Sequence, residues 1–139
     1  MKSVNLKSYR CTQLQFTNNL APNKKIELAN KYSYNCGYTK GNICRGEFKV
    51  EVSDKEDPNN FGITVVMVGI FEIAEDLPKE KLHVESFREL FPFVRALVAT
   101  VTTNAGMPPV IIPAIDIEKQ EIYKVEMPHF KKPEEGTQE

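Results

Sequence analysis

The chain is poor in the residues that carry out chemistry. Its 139 residues hold no tryptophan, two histidines and three cysteines. His83 and His129 lack Cys, His or carboxylate partners at metal-ligand spacing, and the nearness of Glu85 to His83 is a pairing common by chance, so no metal centre is expected. Cys11, Cys36 and Cys44 are odd in number and show no C-x-x-C spacing, which suits a reducing cytoplasm better than a disulfide framework. Cys36 and Cys44 read as small core hydrophobes. No Gly-rich loop leads into a helix, so a phosphate cradle is not expected. Charge of one sign is also missing: 18 basic and 19 acidic residues leave a net charge of -1, with no field to gather nucleic acid or an anionic membrane. Lys24-Lys25 and Lys131-Lys132 are too short for basic patches, and no aromatic platform accompanies them. Glu118 and Glu121 have the spacing of a carboxylate pair but read as a solvated helix face. There is no apolar run of about 18 residues and no secretory leader pattern, so membrane insertion is not expected and the cytoplasm is. These absences point away from an enzyme, and no cofactor is implied.

What the chain does have is apolar residues in order. Phe87, Leu90, Phe91, Val94, Leu97, Val98 and Val101 fall at the i, i+3, i+4, i+7 spacing of one helix face. Asn104-Ala105-Gly106 should end that helix, because Gly accepts the left-handed conformation common there, and Pro108 and Pro109 forbid continuation. Pro92 lies inside the pattern; a kink is expected in a helix starting near Glu85. Ala74 to Val84 reads as a link. Val110 to Ile115 is extended and apolar. Asp116 to Val125 reads as a short second helix, and residues 127–139 as a polar, disordered tail to a single domain over 1–126.

Ahead of the helix come strands. Val4 to Phe16 alternates imperfectly, and a bulge near Ser8 or Thr12 would reconcile its parity. Thr17 to Lys25 is a loop. Ile26 to Cys36 alternates cleanly, as does Ile43 to Ser53, where Cys44, Phe48, Val50 and Val52 face in and Arg45, Glu47, Lys49 and Glu51 face out. Phe61 to Ile73 is apolar on both faces. Soluble monomers avoid an exposed apolar stripe, so one face of this strand is expected to bury against another subunit.

Three segments resemble the SecB family of export chaperones. Gly69-Ile-Phe-Glu-Ile is similar to that family's G-I-F-x-I at the end of the fourth strand. Leu90-Phe91-Pro92-Phe93-Val94-Arg95 is similar to its L-F-P-Y-A-R at the start of the main helix. Gly106-x-Pro-Pro, running on to Pro113-Ala-Ile-Asp-Ile117, resembles the segment after it. The matches come in order and cover Phe61 to Ile117; the first 60 residues match in strand pattern alone. The resemblance implies an α+β fold, a four-stranded antiparallel sheet with a long helix and a short second helix packed on one face. It also implies a homo-oligomer, a dimer of dimers, with Ile63, Val65 and Met67 where the fourth strand meets another subunit.

The family holds unfolded or partly folded polypeptides in apolar grooves without ATP. Carried over, Leu20, Ile26 and Leu28 would line the groove, with Asn30 where a third apolar residue is usual, and Ile111, Ile112 and Ile115 would add to it. The loop before the second strand is short and has neither Phe nor Trp. Gln13, Thr17 and Thr64 stand where export chaperones carry the acidic residues that dock on the SecA motor; none is charged. Two functions follow. One is an ATP-independent holding chaperone, in export or in a dedicated role such as a toxin–antitoxin pair. The other is an adaptor of the same fold that binds one specific partner.

Overall fold

The computed structural model describes residues 3–21, 24–74 and 77–115. Strands β1 (Val4–Asn18), β2 (Leu28–Lys40), β3 (Ile43–Asp54) and β4 (Phe61–Ile73) precede one long helix, α1 (Lys79–Asn104). The strands form a single antiparallel sheet in the order β1-β4-β3-β2. The short helix expected over 116–125 and the tail beyond it lie outside the described residues.

The imperfect alternation of β1 has the cause its sequence suggests. Its pairing with β4 slips between Leu6 and Ser8 and again between Cys11 and Gln13. Each extra residue flips the parity, so Val4, Leu6, Tyr9, Cys11, Leu14 and Phe16 all oppose odd-numbered residues of β4 and share one face. On β2 and β3 the same face carries Tyr32, Tyr34, Cys36, Cys44, Phe48, Val50 and Val52.

Helix α1 lies on that face. Phe87, Leu90, Val94 and Val98 are buried and Phe91, Leu97 and Val101 are half-buried, so the stripe read from the sequence is the packing face. Burying each of the four contributes about 1.5–3 kcal/mol. The helix runs on through Pro92, and it starts six residues before Glu85, with Leu82 N–H donating to the Pro78 carbonyl at 2.9 Å. Ala74 to Val84 is therefore only half a link. Leu82, His83, Val84 and Ser86 are buried in this first part, and the polar His83 and Ser86 hide the continuity of the stripe from a hydrophobicity pattern.

Strand β4 corrects the interface expectation. Ile63, Val65 and Met67 are 1%, 0% and 3% exposed and belong to the core beneath α1. They oppose Phe16, Leu14 and Cys11 on one side and Val52, Val50 and Phe48 on the other. No surface is left on them for another subunit. The opposite row, Val66 and Val68, is also buried, because β4 is an interior strand. Lys49 and Glu47 flank that row from β3 and Gln13 and Arg10 flank it from β1. The alkyl stems of such side chains cover apolar neighbours while their heads stay in water. Arg45–Glu47 at 3.3 Å and Lys49–Glu51 at 3.2 Å complete this wet face with balanced charge.

Close approach of helix and sheet rests on two glycines. Gly46 and Gly69 oppose each other across β3 and β4. A Cβ on Gly69 would sit 3.0 Å from Leu90 Cδ1, and one on Gly46 would collide with the Tyr34 hydroxyl. That hydroxyl hydrogen-bonds Ser86 Oγ of α1 at 2.6 Å, and Ser86 donates to the His83 carbonyl at 3.3 Å. Gly46→Ala should cost about 1–3 kcal/mol through overpacking. Tyr34→Phe alone should cost about 1 kcal/mol for the lost bond. Because Tyr34→Phe removes the atom the new methyl meets, the double variant should be more stable than the sum by about 1 kcal/mol. Urea unfolding of the four proteins measures this; strict additivity would place the collision elsewhere.

The end of α1 is built as the sequence predicts. Gly106 has φ +86, its N–H bonds the Thr103 carbonyl at 3.1 Å and Met107 N–H bonds the Thr102 carbonyl at 3.3 Å, the double bond pattern of a glycine-terminated helix. Thr102, polar and off the predicted stripe, is fully buried. Its hydroxyl donates to the Val98 carbonyl at 2.9 Å and accepts from Val110 N–H at 2.9 Å, pinning the extended segment 107–115 back onto the core.

Candidate functional site

Antiparallel register puts Asn18, Leu28, Asp54 and Phe61 at one end of the sheet. Segment 107–115 joins them there, since Asn18 Nδ2 reaches Met107 Sδ at 3.9 Å. The loop after β1 is tied to the same end by Asn19 N–H on the Asn60 carbonyl at 2.7 Å. Lys55 N–H on the Glu27 carbonyl, at 2.8 Å, fixes the start of β2. Leu20, Ile26 and Leu28 thus lie where β1 ends and β2 begins, and Met107, after α1, reaches the same end.

Their exposures differ. Leu28 is 39% exposed and Ile111 is 50% exposed, both large apolar side chains in water. Leu20, Ile26 and Ile115 pack with part of their surface on the core and leave the rest open. Ile112 is 1% exposed and is core. The correction follows from extended geometry: successive side chains alternate, so Val110 and Ile112 point in and Ile111 points out. Tyr32, half-buried on the helix-side face of β2, adds an aromatic ring that the site reading passed over, and Asn30 between it and Leu28 is exposed. The helix-side row at the start of β2, Leu28, Asn30 and Tyr32, is therefore apolar with one amide set into it.

A second apolar patch lies on β1 and α1. Tyr9 and Leu14 are each 47% exposed on the helix side of β1, and Phe93 of α1 is 39% exposed. The rings of Tyr9 and Phe93 stack with centroids 4.4 Å apart. Cys11 is exposed between Tyr9 and Leu14. Sequence reasoning missed this patch because it needs the strand order: only an edge strand can carry inward-pattern residues that the helix leaves uncovered. Gln13, Thr17 and Thr64 sit on the opposite, wet face, beside the balanced charges of β3.

Burial pushes the Tyr34 hydroxyl well above the usual phenol range, so it stays a neutral donor to Ser86. Among the described residues no group of three or more His, Cys, Asp or Glu side chains could hold a metal ion. None of the described helices is long and apolar enough to cross a membrane. The surface can exclude water from an apolar ligand and hydrogen-bond it through Asn30.

Comparison with known proteins agrees with this geometry. Residues 3–128 match the family described as preprotein translocase subunit SecB. An uncharacterized Methanocaldococcus jannaschii protein is 31% identical over 124 residues, spanning 83% of this chain and 80% of that one. The protein-export protein SecB of Rhodopseudomonas palustris (strain BisB18) is 29% identical over 124 residues, spanning 81% of this chain and 75% of its own. Among solved structures, the Mycobacterium tuberculosis SecB-like chaperone, solved in complex with a ChAD peptide from the HigA1 antitoxin, superposes with a TM-score of 0.64. It is 12% identical, and the match covers 82% of this chain and 88% of that one, a likeness of fold. Sheet, helix, motifs and relatives agree: the chain belongs to the SecB family of chaperones.

Proposed function

We propose that this protein holds non-native polypeptides in the cytoplasm, without ATP, on the strip formed by Leu20, Ile26, Leu28, Tyr32, Ile111 and Ile115. The observation that carries this reading is the exposure of Leu28 and Ile111, two large apolar side chains in the stretches that also carry the half-buried Leu20, Ile26 and Ile115. Removing apolar area from water gives about 25 cal/mol per Å² with no demand on sequence, which is what a holder of unfolded chains requires. The M. tuberculosis chaperone of this fold is in complex with a peptide from an antitoxin, which supports a polypeptide segment as the ligand here. Calorimetric titration with two unrelated, slowly folding polypeptides tests the reading. Both unfolded chains should bind and their folded forms should not.

A dedicated adaptor is the second reading. Asn30, exposed in the middle of the strip, favours it, since a buried amide demands a matching partner group. Failure of both unfolded chains to bind, with capture of one antitoxin-type segment, would select it. Coupling to SecA forms no part of either reading. Gln13, Thr17 and Thr64 are uncharged, and the face they share carries paired opposite charges rather than an acidic surface.

We infer further that the working form is a homo-oligomer, a dimer of dimers, assembled through β1 and α1. The support is the apolar patch of Tyr9, Leu14 and Phe93, beside a 15-residue edge strand. An edge of that length is an open template for pairing. Leu14→Arg should reduce the native mass by half or more and leave far-ultraviolet circular dichroism unchanged. An unaltered native mass would move the interface off this patch.

A further inference from the structure

We propose that Cys36 and Cys44 are a redox pair whose oxidation closes a disulfide clasp across the β2–β3 hairpin. Their sulfurs lie 3.6 Å apart. In the β2–β3 register Cys36 opposes Gly46 and Cys44 opposes Tyr38, so the two cysteines are diagonal neighbours on the helix-side face. A flat ladder would hold such a diagonal too far apart for bonding. Here the pairing slips between Tyr38 and Lys40, next to the pair, and the added twist at a bulge shortens one diagonal. Gly46, opposite Cys36, carries no side chain, and the Tyr34 hydroxyl takes the space its Cβ would fill. Closure to a bonded separation of about 2.05 Å asks the two sulfurs to approach by about 1.5 Å. Cys36 is half-buried and Cys44 is buried, so an external reagent reaches Cys36 first.

The chemistry needs an oxidant of the small-molecule disulfide class, such as oxidised glutathione. The Cys36 thiolate attacks one of its sulfurs, its S–S bond breaks, and one glutathione leaves as thiolate, taking up a proton from solvent. The Cys44 thiol gives up its proton and attacks Cys36 Sγ in the mixed disulfide, which releases the second glutathione. Two protein thiols lose two electrons and two protons, and one small disulfide becomes two thiols. Before this step the Cys44 thiol is pushed above the usual range, first by its hydrogen bond with Cys36 and then by burial. The clasp ties β2, the strand that carries Leu28 and Tyr32, to β3. This inference stands on the hairpin alone and does not depend on the proposed client.

The test incubates the full chain with oxidised glutathione and counts thiols. The count should fall from three by at least two, with a Cys36–Cys44 cross-linked peptide by mass spectrometry, while the exposed Cys11 takes up at most a glutathione. The oxidised protein should melt at a higher temperature, and reduction should reverse the shift. Cys36→Ala should abolish the cross-link and the shift while the reduced protein melts as before; Cys44→Ala is a second route should Cys36→Ala fold poorly. Stable glutathione adducts at Cys36 with no Cys36–Cys44 bond, or two unmodified thiols at Cys36 and Cys44, would overturn the proposal.

Discussion

Val65→Arg should unfold the protein. Val65 is fully buried, opposed by Leu14 and Val50, with the helix above it. A guanidinium there has neither water nor a carboxylate. Leaving a charge buried and unpaired costs about 3–5 kcal/mol, and the added volume costs about 1–3 kcal/mol more. Against a typical total of about 5–15 kcal/mol, the folded state loses most or all of its margin. Thermal melts followed by circular dichroism should lose their cooperative transition or shift it down by tens of degrees. Val66→Arg is the control. Val66 belongs to the wet face, beside Lys49 and Gln13, where a long side chain can carry its charge out to solvent. Its cost should stay below about 2 kcal/mol. A folded Val65→Arg protein of reduced native mass would return Ile63, Val65 and Met67 to a subunit boundary.

That pair of variants turns on what the sequence could and could not say. Periodicity located the four strands, the packing stripe of α1 and its glycine stop, and it called for a bulge near Ser8 or Thr12 where β1 in fact slips at both places, because each is a local pattern with a local cause. Strand order is not local. Phe61 to Ile73 is apolar on both faces whether it lies at an edge against another subunit or inside the sheet between charged neighbours, and only the pairing β1-β4-β3 distinguishes the two. The same ignorance hid the patch at Tyr9, Leu14 and Phe93, which exists because β1 is an edge. Polar residues mislead in the other direction. His83, Ser86 and Thr102 are buried on α1; Ser86 and Thr102 serve as acceptors for Tyr34 and Val110, so the helix looked shorter from its hydrophobicity than it is. For the candidate binding residues the family motifs named stretches of chain, and alternation decides which residues of those stretches face out. Ile111 does and Ile112 does not.

The adjacent isoleucines give the sharpest test of function. Leu28→Asp and Ile111→Asp together should abolish binding of unfolded polypeptide while leaving the fold intact. Both side chains are already partly in water, so replacing them should cost the folded state no more than about 1 kcal/mol in all. For a bound client the loss is larger. Each side chain covered by a ligand contributes about 1.5 kcal/mol of apolar burial, and each new carboxylate must be stripped of water to be covered. A total of at least about 3 kcal/mol corresponds to a hundredfold or greater rise in Kd. Ile112→Asp reverses the pattern. It puts a charge into the core beside Val110 and the Thr102 anchor, and the protein should unfold before binding can be measured. Titration calorimetry for the first variant and a thermal melt for each would separate surface from core at neighbouring positions. If the double variant binds unfolded chains within threefold of the parent, the strip is not the client site. The exposed Tyr9, Leu14 and Phe93 would then be the surface to alter next, and the oligomer would have to be built elsewhere.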